Sequence, residues 1–168
     1  MDTARFKELL WQQFGAAIQM LENAIRLCPE ELWKDRSRYH EIWYMTFHTL
    51  FWLDLYLSGK MEGFRPPEPF GLEELDPKGV LPDRVYTKDE MLDYLEHCRV
   101  KCRSVIDALD AESEARPYKF PRCDMPFAEL LLYNLRHVQH HTAQLNLLLR
   151  QEINDAPRWV GRAEWAKK

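Results

Sequence analysis

Three histidines fall within five positions of the run NLRHVQHHTAQLNLLLRQ, residues 134–151: His137, His140 and His141. A neutral imidazole offers one lone pair, and two imidazoles at i and i+4 on a helix stand about 5–6 Å apart at Cβ, a gap a small cation can bridge. His137 and His141 have that spacing. With His137 at zero on a helical wheel, His141 lies near about 40°, inside an arc formed by Leu130, Leu148, Phe127, Leu145, Val138, Leu131, Leu149 and Leu135. His140 falls on the other side, toward solvent. A second segment, YMTFHTLFWLDLYL, carries one more histidine. Its wheel sets His48 at the centre of a face made by Leu55, Trp52, Tyr44, Met45 and Phe51, which places His48 inside the protein. Asp54 points away from that face and reads as a surface charge.

Two chemistries fit such a set. Buried imidazoles can bond to protein neighbours, with each orphaned nitrogen costing about 1–3 kcal/mol. Alternatively, a cation takes three lone pairs at once. Ligand histidines need partners on their other nitrogen. Asn134 and Gln144 lie one turn either side of the pair, and Glu41 shares the face of His48 two turns away. These three are the candidate outer partners.

Four periodic stretches must position these residues: about 3–28, ending at Pro29; about 40–57, ending at Ser58–Gly59; about 87–109, opening with the capping box Thr87-Lys88-Asp89-Glu90; and about 126–152, with Asp124 as a candidate cap. Strand character is confined to residues 118–120. Between the second and third helices, residues 58–86 hold five of the ten prolines and four of the six glycines. A connection this long is unusual inside a domain, but it suits a crossover that lets successive bundle helices run parallel. It serves either as a spacer or as a flap over one end of the bundle. The expected architecture is all-α, a four-helix bundle with a long crossover between helices 2 and 3, forming a single domain over residues 1–168.

Composition narrows the classes. The chain is 46% hydrophobic and 30% charged, with a net charge of −4. It has no basic run for nucleic acid and no apolar segment long enough for a bilayer. The N-terminus lacks the features of a secretory signal, so a cytoplasmic location is expected. Cys28, Cys98, Cys102 and Cys123 then read as reduced thiols. Cys98 and Cys102 fall on the seam Met91, Leu95, Cys98, Cys102, Val105, Leu109 and read as core. The aromatics Phe6, Trp11, Phe14, Trp43, Phe47 and Trp52 read as core, with a homodimer face as the alternative. Trp159 and Trp165 of the tail are expected to pack back on the bundle.

A histidine in the middle of the second helix, a long crossover, then a histidine pair and a Gln on the fourth helix resemble the DinB-like (DinB/YfiT) superfamily. HHTAQL is similar to that family's usual HHRGQL, with Thr142 where an Arg is common, which leaves any role of that Arg unfilled here. The resemblance covers nearly the whole chain. It implies a four-helix bundle in which His48, His137 and His141 hold one divalent metal. An imidazole set suits Zn²⁺ or Ni²⁺. Three protein ligands leave a position open, the pattern of a catalytic site. Some members of the family are transferases or isomerases that use low-molecular-weight thiols such as bacillithiol or mycothiol, so a thiol and a small electrophile are the expected partners. The alternatives are a metal-dependent hydrolase, or a non-enzymatic stress-response or interaction protein.

Overall fold

The computed structural model describes residues 2–36, 41–120 and 123–163. Four long helices dominate: α1 (Thr3–Leu27), α3 (Ile42–Ser58), α4 (Lys88–Asp107) and α6 (Phe127–Ile153). Two short helices, α2 (Glu30–Trp33) and α5 (Ala111–Ala115), and a hairpin of β1 (Pro117–Phe120) and β2 (Cys123–Pro126) fill the connections. The start of the second periodic stretch at residue 40, the side chain of Cys123 and the packing of Trp165 lie outside the described residues.

Local chemistry sets most helix ends. Asp2 caps α1 by accepting from the Arg5 N–H, and α4 opens with the complete capping box of Thr87 and Glu90. α3 stops at Gly59, whose φ of 80° lies in the left-handed region that favours glycine. The Tyr118 hydroxyl would stand 2.9 Å from any Cβ built on Gly59, so space as well as φ requires glycine there. Asp124 is not the cap of the last long helix. It lies in β2, opposite Lys119, and α6 begins directly after Pro126. The strand expected at 118–120 is one arm of that hairpin.

In the bundle α1 packs on α4 and α6, and α3 packs on the same two. Pairings along the helices give their directions. Leu50 meets Cys98 and Asp54 meets Lys101, so α3 and α4 run parallel. Glu22 meets Arg99, and Lys7 reaches the Asp107 carbonyl, so α1 opposes α4. Leu53 meets Asn134, and Tyr56 meets Tyr133, so α6 opposes α3. A parallel α3–α4 pair obliges the chain between them to return along the bundle, which is what residues 59–87 do.

The returning chain is more than a strap. Phe64 packs edge-on against Phe51, and Phe70 stacks on both Phe47 and Tyr94, with ring centroids 5.9 and 4.5 Å apart. Tyr86 closes against Trp43 and Phe47 while its carbonyl accepts from the Trp33 indole at 2.9 Å. These aromatics belong to one contiguous core with Cys98, Cys102, Trp11, Phe14, Trp43 and Phe47, while Phe6 and Trp52 pack on its edge. Cys28, Cys98 and Cys102 are free and buried.

Two expectations are corrected. Asp54 is not a surface charge: its side chain is 1% exposed, paired with Lys101 and bonded to the Tyr94 hydroxyl at 3.2 Å. The half-exposed side of α3 is the one carrying Tyr44, His48 and Trp52, and Asp54 lies on the other side, against α4. Trp159 is 72% exposed and does not pack on the bundle. The tail returns at Ala163 instead, whose N–H donates to the Gln12 carbonyl at 2.8 Å and whose Cβ approaches Gly15.

Candidate metal site

His48 lies midway along α3, and His137 and His141 lie one turn apart on α6. Because the two helices run antiparallel and touch, the three rings converge. Their centroids stand 5.3 Å (His48–His137), 4.8 Å (His48–His141) and 4.6 Å (His137–His141) apart. One nitrogen from each can be chosen so that all three lie within 4.8 Å of one another. The cluster sits at the flank of the bundle rather than at its centre. The His48 side chain is 30% exposed, and Tyr44, Met45 and Trp52 around it are only half-buried. The wheel had placed this face inside. With apolar residues all round α3, the actual core face is the opposite one, carrying Trp43, Phe47, Leu50 and Leu57.

Hydrogen bonds on the outer nitrogens set which atoms face inward. His141 Nδ1 donates to Gln144 Oε1 at 2.7 Å, and His48 Nδ1 donates to Glu74 Oε2 at 2.7 Å. With Nδ1 carrying the proton, each ring turns the lone pair of Nε2 into the cluster. His137 Nε2 lies 3.4 Å from His48 Nε2, and its Nδ1 is buried without a partner. Neither tautomer satisfies both nitrogens of His137. The 3.4 Å separation of this pair matches the edge of a tetrahedron around an ion bound at ~2.0–2.1 Å, and with the third ring's nitrogen the set spans no more than 4.8 Å, a donor set of the kind that takes a small divalent metal.

Electrostatics act the same way. Burial, then the neighbouring His141, His48 and His140, push the His137 pKa down to about 3. Burial and the nearby His48 lower that of His141, against the pull of its bond to Gln144. Both rings are held neutral, the form that coordinates metal. Burial alone would raise the pKa of Glu74. The hydrogen bond and charge of His48, with Tyr44 and Trp52 beside it, outweigh burial and lower it. The Trp52 indole donates to the same Oε2 at 2.8 Å.

The candidate outer partners therefore separate. Gln144 bonds a histidine of the trio. Asn134 is fully buried, but its Nδ2 donates to the Leu53 carbonyl at 3.0 Å, which pins α6 to α3 near the site. Glu41 is engaged elsewhere: it accepts from the Trp43 indole and faces Arg36 at 3.7 Å. The carboxylate that reaches His48 is Glu74, on a single 3₁₀ turn (Glu73–Leu75) of the crossover. No periodicity in a proline- and glycine-rich segment pointed to it. Its one local sign is an acidic pair between two leucines, Leu72 and Leu75. His140 is exposed, its ring edge-on to that of His141 at 5.1 Å between centroids. A shallow groove of about 500 Å³ along α6 is lined by Tyr133, Arg136, His140 and, of the trio, His137 alone.

Among the described residues no helix is long and apolar enough to cross a membrane. A family model described as the DinB superfamily matches residues 13–145, a span that includes all three histidines. A search of curated proteins found no match. With a match over most of its length, and a helical bundle with a long crossover as its fold, the chain belongs to the DinB superfamily.

Proposed function

We propose that this protein holds one divalent metal ion, Zn²⁺ or Ni²⁺, through Nε2 of His48, His137 and His141, and offers it to a small-molecule thiol for transfer to an electrophile. The observation that carries metal binding is the outward commitment of Nδ1 on His48 and His141, which leaves their lone pairs converging with that of His137. A bound ion of this kind supplies a Lewis acid with an open position, on which a thiol or a water becomes more acidic. The protein's own part is to hold three imidazole ligands and keep Glu74 as the nearby counter-charge.

Thiol chemistry is favoured over hydrolysis by the state of Glu74. A hydrolase that relies on general-base assistance needs a carboxylate or imidazole free to take a proton from the attacking water. The carboxylate next to this trio already accepts from both His48 and Trp52 through one oxygen. A thiol needs no such base, because its own pKa is far closer to neutrality. The same reading places the protein in the cytoplasm, where thiols stay reduced.

The test has two steps. Untagged protein is analysed for metal, with about one ion per chain expected. Co²⁺-substituted protein is then titrated with bacillithiol, mycothiol or a simple thiol, and a sulfur-to-metal charge-transfer band is expected that His48→Ala removes. A spectrum indifferent to every thiol would refute the transferase reading and leave a metal-binding protein without this activity.

A further inference from the structure

We infer that Glu74 is a positioning residue for the ion and that it makes the crossover part of the metal site, so that metal binding and docking of residues 72–76 are one linked equilibrium. The inference rests on the metal-binding reading above and adds to it an element outside the three ligands.

An imidazole on a helix can present either nitrogen, and its ring can turn about Cβ. Something must select the orientation of His48. Glu74 does so from the far side, accepting from the Nδ1–H at 2.7 Å. A carboxylate in that place fixes the tautomer, holds the ring and raises the basicity of Nε2. Its own position is well determined: the Glu74 side chain is 5% exposed, and the Trp52 indole, one turn along α3 from His48, holds the same oxygen at 2.8 Å. The Tyr44 side chain lies within hydrogen-bond reach of the same carboxylate. One carboxylate thus bonds two residues of the face that carries His48 and lies against a third.

The carboxylate is borne by a segment far from the ligands in sequence. Its single turn is closed by the Leu75 N–H to the Leu72 carbonyl at 2.9 Å and the Asp76 N–H to the Glu73 carbonyl at 3.0 Å. A 3₁₀ turn this short has little stability of its own and takes its place from what it docks on. If docking of Glu74 tightens the hold on an ion, then by reciprocity the ion tightens the docking. Outer partners of this type change metal affinity by about 10–100-fold.

The test compares wild type, Glu74→Gln, Glu74→Ala and His48→Ala. Zn²⁺ affinity is read by competition with a chromophoric chelator, and amide hydrogen exchange is followed at Leu75 and Asp76 with and without Zn²⁺. Circular dichroism checks that each variant is folded, and the near-isosteric Gln variant keeps the test open should Ala disturb the crossover. The expected result is a loss of about 10–100-fold in affinity for Glu74→Ala, a smaller loss for Glu74→Gln, which keeps an acceptor without the charge, and slower exchange at Leu75 and Asp76 on adding Zn²⁺ to wild type but not to Glu74→Ala. Wild-type affinity in Glu74→Ala, or exchange in wild type unmoved by Zn²⁺, overturns the inference and leaves the three-histidine site intact. A wild type that binds no Zn²⁺, or binds it no better than His48→Ala, overturns the metal-binding reading, and the inference with it.

Discussion

The ring of His137 is half-buried, with Nδ1 out of reach of solvent, and faces two other imidazoles, and its pKa falls to about 3. An unfolded chain binds that proton near pH ~6.5. Between those values the unfolded state carries more protons, so stability is complete above about pH 6.5 and declines as pH falls toward 3. In chelator-treated protein, the drop in unfolding temperature from pH 7.5 to pH 5 should therefore shrink in His137→Gln. An equal drop in both proteins would mean that the ring is not held neutral by the fold. The same neutral rings govern metal. Alanine at His48, His137 or His141 should abolish metal content, and His140→Ala should retain it, as read by elemental analysis. Equal loss from His140→Ala would displace the assignment. The histidines and Gln144 could be read from sequence because they lie on two helices whose period orders every side chain. Glu74 could not, since a chain without a period gives no face. Asp54 was misjudged for a related reason: on a helix that is apolar all round, a wheel cannot say which side is wet.

Among the elements, the parallel pair of α3 and α4 depends on a polar tie within an apolar groove. Asp54 is 1% exposed and Lys101 is 27% exposed, and the Ser58 hydroxyl accepts from the same ammonium at 2.5 Å. Removing the lysine leaves the buried carboxylate with only the Tyr94 hydroxyl at 3.2 Å and the half-exposed His97 imidazole at 3.5 Å. Lys101→Ala should cost about 3–5 kcal/mol by urea denaturation. A cost below 1 kcal/mol would show that water replaces the lysine. The crossover is tested similarly. Phe70 stacks between Phe47 of α3 and Tyr94 of α4, so Phe70→Ala should cost about 3–5 kcal/mol, as in a helical core. A spacer would lose almost nothing. The sequence marks this connection by its prolines and glycines and by the direction it must run. It does not distinguish Phe64, Phe70 and Tyr86 as core, because aromatics without regular spacing look the same in a loop and in a groove.

Taken whole, the molecule gains from any ion that binds only its folded form. At a free Zn²⁺ concentration 100 times the Kd, that gain is about 2.7 kcal/mol. The unfolding temperature of wild type should rise with Zn²⁺ while that of His48→Ala stays level. A rise in both would indicate binding elsewhere. The site also has an order in time. Its two halves, His48 and His137, are separated by 89 residues. At a synthesis rate of about 5–20 residues per second, His48 leaves the ribosome roughly 4–18 s before His137. Throughout that interval the growing chain holds at most one of the three ligands. The ion therefore cannot template the early helices. An ion held by the trio would settle only on a chain whose last long helix has arrived, so its uptake would come after the other helices are made.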